Sequence, residues 1–217
     1  MDLEAGDELI AARPANEYAE IIVVTQGGMS VCFPVTQLRV RSRIAGGVRA
    51  IRLKPGDEVV GMDVLVPQGR LLAVSRNGFG KLTKLDAFRR QSRGGSGVIA
   101  FKVNERTGPL AAARVVIGNE ELVVASSKAL VHRTSLSEVS ELGRYARGVW
   151  IMRLGGEDQI TSVATLAPSS GQEPVRVAGR DSQRNGSQQG ALDLNSPIPS
   201  VEQTEEPKDQ GEGEDST

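Results

Sequence analysis

The sequence has few aromatic residues, a single cysteine and no long apolar run. Phenylalanine, tryptophan and tyrosine make up 3% of its 217 residues, which excludes stacking on aromatic side chains as the main way of binding bases. Cys32 lies in the apolar run VCF. A single thiol excludes an internal disulfide framework, so we expect a small buried side chain in a reducing compartment. No run approaches the ~18 residues of a membrane helix, and the acidic start MDLEAGDELI lacks the basic and apolar parts of a signal peptide. These features predict a cytoplasmic protein that does not bind membranes.

Motifs for catalysis are also missing from the sequence. The phosphate-binding pattern G-x-x-x-x-G-K-[ST] does not occur, so we expect no ATP site. The one histidine, His132, lies 100 residues from the one cysteine, so no cluster of metal ligands is visible, and we expect His132 on the surface of a strand. The chain is therefore predicted to be no enzyme by itself and to need no cofactor.

Charge is distributed unevenly, although the net charge is only −1. Residues 1–20 carry a net charge of −5, residues 21–155 carry +12 and residues 156–217 carry −8. A basic middle between acidic ends favours a polyanion-binding body with an acidic tail. The alternative is scattered, solvated charge, but the excess of cations is concentrated in particular loops.

Three segments share one template, in which an arginine is followed four residues later by Gly-Val and then by alternating apolar positions. They are SRIAGGVRAIRL (42–53), SRGGSGVIAFKV (92–103) and GRYARGVWIMRL (143–154). The anchor arginines Arg43, Arg93 and Arg144 are spaced by 50 and 51 residues. Self-similarity at a fixed period of this length indicates a repeat architecture.

Each template lies between further strand signals. A strand, a tight turn and a strand precede it, as in IIVVTQGGMSVCF (21–33), and another turn and strand follow it. Each unit of about 50 residues thus offers about four strands and almost no helical periodicity, which is typical of propeller blades.

The repeats divide the chain into three parts. GDELIAA (6–12) matches GDEVVGM (56–62), so we expect residues 1–20 to hold the end of a preceding blade and a linker. Residues 21–166 are predicted to form about three four-stranded blades, a partial ring. Residues 167–217 are rich in Ser, Gly, Gln, Pro and acid, and we expect a disordered acidic tail that could compete with a bound polyanion for the basic loops.

The repeated loop suits phosphate contact. Glycine allows a sharp turn with accessible N–H groups, and arginine offers a fork that matches phosphate oxygens. Such loops on successive blades would form a curved basic track for duplex DNA. The alternative is a glycine turn beside a solvated arginine. The predicted DNA-binding residues are Arg39, Arg41, Arg43, Arg49, Lys81, Lys84, Arg89, Arg90, Arg93, Arg133, Arg144 and Arg147, with loop glycines Gly47, Gly94, Gly95, Gly97 and Gly148.

These blades resemble the C-terminal domain of the DNA gyrase A subunit, as in GGVRAIRLKPGDEVVGMDVL and LVHRTSLSEVSELGRYARGVWIMRL. The resemblance implies a β-pinwheel, a propeller-like ring whose neighbouring blades exchange strands. It also implies wrapping of double-stranded DNA and ATP-dependent negative supercoiling by a bacterial, chromosome-associated type II topoisomerase. The implied partners are the gyrase A breakage-reunion domain and the gyrase B subunit, with ATP and Mg²⁺ used elsewhere in the holoenzyme. The family's cleavage tyrosine is missing, since Tyr18 and Tyr145 lie outside any such domain.

Two departures from the family limit what the resemblance implies. QSRGGSG (91–97) resembles a degenerate gyrase A box, Q-R-R-G-G-K-G, in which Ser92 and Ser96 replace two cations. The resemblance therefore implies DNA contact at Arg93 but not the box's role in wrapping. Three blades in place of about six also leave open sheet edges. The alternatives are a topoisomerase IV type of C-terminal domain and a propeller that binds another protein.

Overall fold

The computed structural model describes residue 3 and residues 6–40 and 46–167, which form an all-β fold with three short 3-10 turns. The predicted fold class is confirmed. No helix in these ranges is long and apolar enough to cross a membrane. The strands are β1 (Glu20–Thr25), β2 (Met29–Pro34), β3 (Val59–Val64), β4 (Arg70–Ser75), β5 (Phe79–Lys84), β6 (Val98–Ile99), β7 (Leu110–Val116), β8 (Glu121–Ser126), β9 (Val131–Ser135), β10 (Val149–Trp150) and β11 (Ile160–Leu166).

Each repeat builds the body of one antiparallel sheet. A hairpin pairs β1 with β2, and the same hairpin recurs as β4–β5 and β8–β9. The last strand of each repeat, β3, β7 or β11, returns to pair with the first strand of its hairpin. Runs of β-branched residues such as IIVV (21–24) and the tight turns between them explain why this sequence forms hairpins.

The fourth strand of a sheet comes from the next repeat. β6 pairs with the outer edge of β2, with Ser30 opposite Val98, and β10 pairs with β5, with Gly80 opposite Val149. The sheet orders are β3-β1-β2-β6 and β10-β5-β4-β7. The short strands that begin at the valine of the second and third templates are therefore donated to the preceding sheet, which is the strand exchange implied by a β-pinwheel.

The third sheet contains three strands in the order β11-β8-β9. No strand among the described residues pairs with the outer edge of β9, and the first Gly-Val segment, at residues 47–48, joins no described sheet. Val131, His132 and Arg133 are exposed on β9, and charged side chains discourage pairing of a free edge with other strands. Within residues 6–40 and 46–167 the outer edge of β9 is thus open, and His132 lies on a strand surface as expected.

The core lies between successive sheets. Ile22, Val24 and Cys32 pack against the second sheet, and Leu72 and Val74 pack against the third. Burial raises the pKa of the Cys32 thiol to about 11, so the cysteine is a small buried side chain, as predicted. Alternate residues of one strand therefore serve two interfaces, which locks the order of the sheets.

The strand predicted within GDELIAA (6–12) is not formed, and the described residues before β1 contain no strand. Leu9 and Ile10 are exposed there, and the ion pair of Arg13 with Asp63 at 2.9 Å attaches the segment to β3. No strand forms here because a strand needs a partner edge, and the inner edge of each described sheet is already held by β3, β7 or β11. The assignment of residues 1–20 to the end of a preceding blade and a linker stays a prediction. The predicted acidic tail from residue 168 onward lies outside the described residues.

Glycine is required where a donated strand meets its acceptor. Gly97 and Gly148 have φ of +77° and +76°. A Cβ on Gly97 would lie 2.3 Å from the carbonyl oxygen of Ser30, and one on Gly148 would lie 2.6 Å from that of Gly80. Gly47 occupies the same template position without a described acceptor, and among the described residues no atom beyond its own chain neighbours lies within 4 Å of its would-be Cβ.

Gly148→Ala is expected to destabilise the fold by about 1–3 kcal/mol, because it combines a strained φ with a backbone collision. Gly47→Ala is the matched control, and we expect it to change stability little. The free energies of unfolding can be measured by urea denaturation. Equal stabilities for the two variants would contradict the requirement for glycine at the exchanged strand.

One charged side chain lies inside the fold. Lys81 on β5 is 1% exposed, and its ammonium Nζ lies 5.5 Å from the centre of the Phe101 ring. Burial lowers the pKa of Lys81 to about 8, and the nearby Arg144 guanidinium contributes to the same direction. The folded protein therefore holds this proton less tightly than the unfolded chain does.

Stability is expected to rise between about pH 8 and 10.5. In that window the unfolded chain still binds the Lys81 proton and the folded chain has released it, so raising the pH removes a cost of folding of about 3 kcal/mol. Lys81→Met should lack this rise. The measurement is the unfolding free energy of both proteins at pH 7 and 10, since the opposing contribution of Cys32 is common to both and cancels. Parallel pH profiles would contradict the buried charge.

Candidate nucleic-acid interface

The donated strands define an outer rim of the fold. β3, β7 and β11 form the inner edges of the three sheets and contact one another in sequence, whereas β6 and β10 lie at the opposite edges. We call residues 46–53, 91–103 and 142–154 the rim, since they comprise these strands and the segments attached to them.

The rim segments lie directly on one another. The Arg52 amide donates to the carbonyl of Gly95 at 2.8 Å, and the Lys102 amide donates to the carbonyl of Ala146 at 3.2 Å. These two bonds join equivalent positions of successive repeats. The loop of one repeat is therefore fixed against the segment that follows the Gly-Val pair of the repeat before it, which makes the rim continuous.

The anchor arginines take part in the same contacts. The Nη1 group of Arg93 donates to the carbonyl of Arg49 at 3.2 Å, and that of Arg144 donates to the carbonyl of Ile99 at 3.0 Å. Both side chains are half-buried, so neither is the freely solvated arginine of the alternative interpretation. A guanidinium has five N–H groups, and these bonds leave others to meet an anion.

The other predicted cations differ in their surroundings. Lys84 pairs with Glu141 at 3.5 Å, while Arg90 pairs with Glu20 and Arg133 with Glu121. Arg70 also pairs with Glu141 and is the main reason that the pKa of this carboxyl is lowered. Ion pairs at a surface add little stability, but they compensate part of the positive charge. The exposed predicted cations are Arg39, Arg49, Lys84, Arg89, Arg90, Arg133 and Arg147, and Arg41 and Arg43 lie outside the described residues.

Lys81 corrects the sequence prediction, because a buried ammonium cannot touch a phosphate of DNA. Its Nζ donates to the carbonyls of Gly143 and Arg144 at 2.7 and 2.9 Å. Lys81 on β5 corresponds to Val31 on β2 of the first repeat, which is a buried, apolar position. The lysine satisfies its charge with backbone oxygens of the third repeat's loop.

The predicted loop glycines allow close approach of the backbone, and they are less suited to donating N–H groups to a ligand. The Gly94 amide donates to the carbonyl of Ala50 at 2.6 Å, so this N–H is already engaged. Gly94 has φ of +79°, like Gly97 and Gly148, whereas Gly47 and Gly95 do not adopt positive φ. The Gly94 amide is therefore not available to a phosphate, and at this position the loop is packed against the first repeat.

One column of cations was missed by the sequence prediction. Arg52, Lys102 and Arg153 all follow the template glycine by five residues, and all three are exposed on the rim. Aligning the three templates beyond the Gly-Val pair would have revealed a cation in every copy. Arg153 and Arg106 also lie 5.9 and 6.0 Å from the centre of the Trp150 ring, which gives the third repeat an aromatic residue between cations.

Comparison with known proteins identifies the repeats. The family described as "DNA gyrase C-terminal domain, beta-propeller" matches residues 19–65, 69–117 and 120–167, one match for each repeat. The DNA gyrase A subunit of Dehalogenimonas lykanthroporepellens is 39% identical over 172 residues, which cover 76% of this chain and 21% of that protein. The DNA gyrase A subunit of Staphylococcus aureus (strain MRSA252) is 34% identical over 169 residues, covering 77% and 19%. The chain thus spans about a fifth of the length of these curated relatives.

Solved structures share the architecture. The DNA gyrase A C-terminal domain superimposes with a TM-score of 0.65 at 27% identity and covers 70% of this chain and 52% of that chain. The C-terminal domain of DNA topoisomerase IV superimposes with a TM-score of 0.72 over 76% of this chain and 52% of that chain, and its 18% identity indicates a common fold alone. From the three family matches, which together cover more than half of its residues, the chain belongs to the DNA gyrase C-terminal domain family.

Proposed function

We propose that this chain holds duplex DNA along its outer rim and is the DNA-binding module of a gyrase A-type subunit. The observation that carries the proposal is the exposed cation at the same rim position of all three repeats, in a chain that belongs to the gyrase C-terminal family. Cations that recur at one position of each repeat can contact a polymer whose negative charges are also regularly spaced.

The chemistry of the rim suits backbone recognition. Arg52, Lys102 and Arg153 offer charge, whereas Arg93 and Arg144 offer guanidinium groups already oriented by backbone carbonyls. A group held in place loses less conformational entropy when it binds a phosphate. Contacts of this kind do not read the base sequence, so the bound DNA would be selected by its charge and by the ease with which it bends.

The activity of the holoenzyme belongs to the same proposal. In a gyrase A-type subunit the module would present wrapped DNA to a breakage-reunion domain and support negative supercoiling. The gyrase B subunit would be the partner, and ATP and Mg²⁺ would be bound elsewhere. The proposal assigns DNA cleavage to the breakage-reunion domain and not to any of the described residues. A topoisomerase IV type of domain shares the fold, but the curated relatives favour the gyrase type.

Neutralising the column of rim cations tests DNA binding. The variant Arg52→Gln/Lys102→Gln/Arg153→Gln should bind linear duplex more weakly at every salt concentration. Its plot of log affinity against log salt should be shallower by about 3, that is by about 1 for each phosphate that is no longer neutralised. Fluorescence anisotropy with labelled duplex of mixed sequence measures both quantities.

The matched control removes the same charge outside the rim, as Arg13→Gln/Arg76→Gln/Lys128→Gln. We expect a much smaller loss of affinity for this control. If the two triple variants bind equally, net charge alone governs binding and the rim has no special part. If the unchanged chain does not bind duplex at all, the proposed function is wrong.

Wrapping has a separate test in DNA topology. When a nicked circle is religated in the presence of the chain, wrapping around the rim should change the linking number, because the path of the bound DNA is curved. The rim triple variant should produce a smaller change at equal occupancy. Saturating binding with an unchanged linking number would contradict wrapping by this chain while leaving DNA binding intact.

A further inference from the structure

The two loops that lie on the rim are attached to their sheets in different ways. Loop 91–97 meets the first sheet and loop 142–148 meets the second, and the two junctions share several bonds. The amides of Gln91 and Leu142, for example, donate to the carbonyls of Cys32 and Leu82 at 2.8 Å each. The junctions differ in the side chain that holds the loop's arginine.

Gln37 holds the arginine at the first junction. Its side-chain oxygen Oε1 accepts from the backbone amide of Arg93 at 3.0 Å, and its backbone carbonyl accepts from Arg93 Nε at 3.3 Å. Its side-chain amide donates to the carbonyl of Gln91 at 3.5 Å. The second repeat has Ala87 at the position of Gln37, so this clamp cannot form at the second junction.

At the second junction the loop is held by Lys81, which lies on β5, whereas Gln37 lies in the 3-10 turn after β2. Its ammonium donates to the carbonyls of Gly143 and Arg144, and the Thr83 hydroxyl beside it donates to the carbonyl of Leu142 at 2.9 Å. Hydrogen bonds from a charged donor are stronger than neutral ones, and they offset part of the cost of burying the charge. The first repeat has Val31 at this position.

Arg144 is therefore held at both ends. Lys81 binds its backbone oxygen from inside the fold, and the carbonyl of Ile99 accepts from its guanidinium on the rim. The positive charges of the ammonium and the guanidinium repel, so the guanidinium is favoured on the side away from Lys81. Arg147 belongs to the same loop and is exposed.

We propose that Lys81 is a positioning residue for DNA binding: it replaces the missing glutamine clamp and sets loop 142–148 so that Arg144 and Arg147 meet the phosphate backbone. The inference rests on the proposed DNA-binding function and deepens it, since it assigns a role in recognition to a side chain that never touches DNA. It also explains why a charge is retained in a position that the first repeat fills with valine.

The test removes the clamp and then rebuilds it in the form used at the first junction. Lys81→Met keeps the length and apolar stem of the side chain but has no donor. The full chain with this change should bind linear duplex about fivefold more weakly, with a salt dependence shallower by about 1, as expected when one fewer phosphate is neutralised. Adding Ala87→Gln should restore binding, because the new amide can reach the Arg144 amide and the Leu142 carbonyl as Gln37 reaches its counterparts.

A role in stability alone makes different predictions. Lys81→Met would then change the unfolding free energy without changing the DNA affinity of the folded protein, and Ala87→Gln would not alter that affinity. If Lys81→Met does not fold, Lys81→Gln retains a neutral donor and should show a smaller loss of affinity and the same rescue. Affinity and salt dependence equal to those of the unchanged chain in a folded Lys81 variant would overturn the proposal.

Hydrogen exchange separates this proposal from the function on which it rests. Without DNA, the amides of Leu142 and Ala146 should exchange faster in Lys81→Met and return towards the original rate when Ala87→Gln is added, since the first ties the clamped loop to the Leu82 carbonyl on β5 and the second bonds to the Gly143 carbonyl within the loop. Faster exchange in a chain that never binds duplex would show that the clamp exists and that the proposed function is wrong. Unchanged exchange would overturn the clamp itself.

Discussion

The donation of a two-residue strand to the preceding sheet is the interaction on which the rest of this structure depends. Without it, β2 and β5 would each expose an unpaired edge, and the loops before β6 and β10 would have no surface to lie on. The donation requires a backbone approach that only glycine allows, as at Gly97 and Gly148. One steric requirement thus orders the sheets and creates the rim.

The anchor arginines join stability and recognition in one side chain. Arg93 and Arg144 each donate to a carbonyl of the preceding repeat, so the positions that would bind phosphate are also positions that hold neighbouring sheets together. A cation fixed in this way binds with less loss of entropy than a flexible lysine. The same coupling means that removing either arginine would change the fold and the binding surface together, which makes the outward column at Arg52, Lys102 and Arg153 the cleaner probe of binding.

Much of the fold could be predicted from the sequence because each repeat signals its own hairpin. The turn glycines and the runs of β-branched residues are local features, and they predicted the hairpin strands of all three units correctly. The exchange of strands was implied only by the family resemblance, since no periodicity says which sheet a Gly-Val strand joins. Local sequence alone does not decide whether a strand forms. Segment 6–12 matches the sequence at the start of β3 but forms no strand, because a strand forms only where a partner edge is available.

The candidate site was harder to predict for a related reason. Lys81 and Lys84 lie three residues apart on one strand, yet one is buried and the other is exposed and paired with Glu141. The positions of charged residues can be read from the sequence. Which of them reach solvent depends on how a loop of the next repeat packs over the strand. Cations at matching positions of several repeats are a stronger signal than cations that cluster within one, because the shared architecture then gives them the same surroundings.

The third sheet shows how such an array can be terminated. Gly28 and Gly78 occupy the same position in the first two hairpins, next to the segment that follows the donated strand. A Cβ on Gly28 would lie 2.2 Å from the carbonyl oxygen of Phe101, and one on Gly78 would lie 2.0 Å from that of Met152. The third hairpin has Ala129 there, with φ of +61°, so its Cβ fills the space through which a donated strand would pass.

The outer face of the same sheet leads to the same conclusion. In the first two sheets the apolar Cys32 and Leu82 lie opposite Ile22 and Leu72. The equivalent position of the third sheet, opposite Val123, is Arg133, which pairs with Glu121. A fourth sheet stacked in the same way would bury this ion pair and meet the alanine, and both costs oppose further stacking. Within the described residues, Ala129 thus opposes the donation of a further strand to the third sheet, and Arg133 opposes the stacking of a further sheet on its outer face.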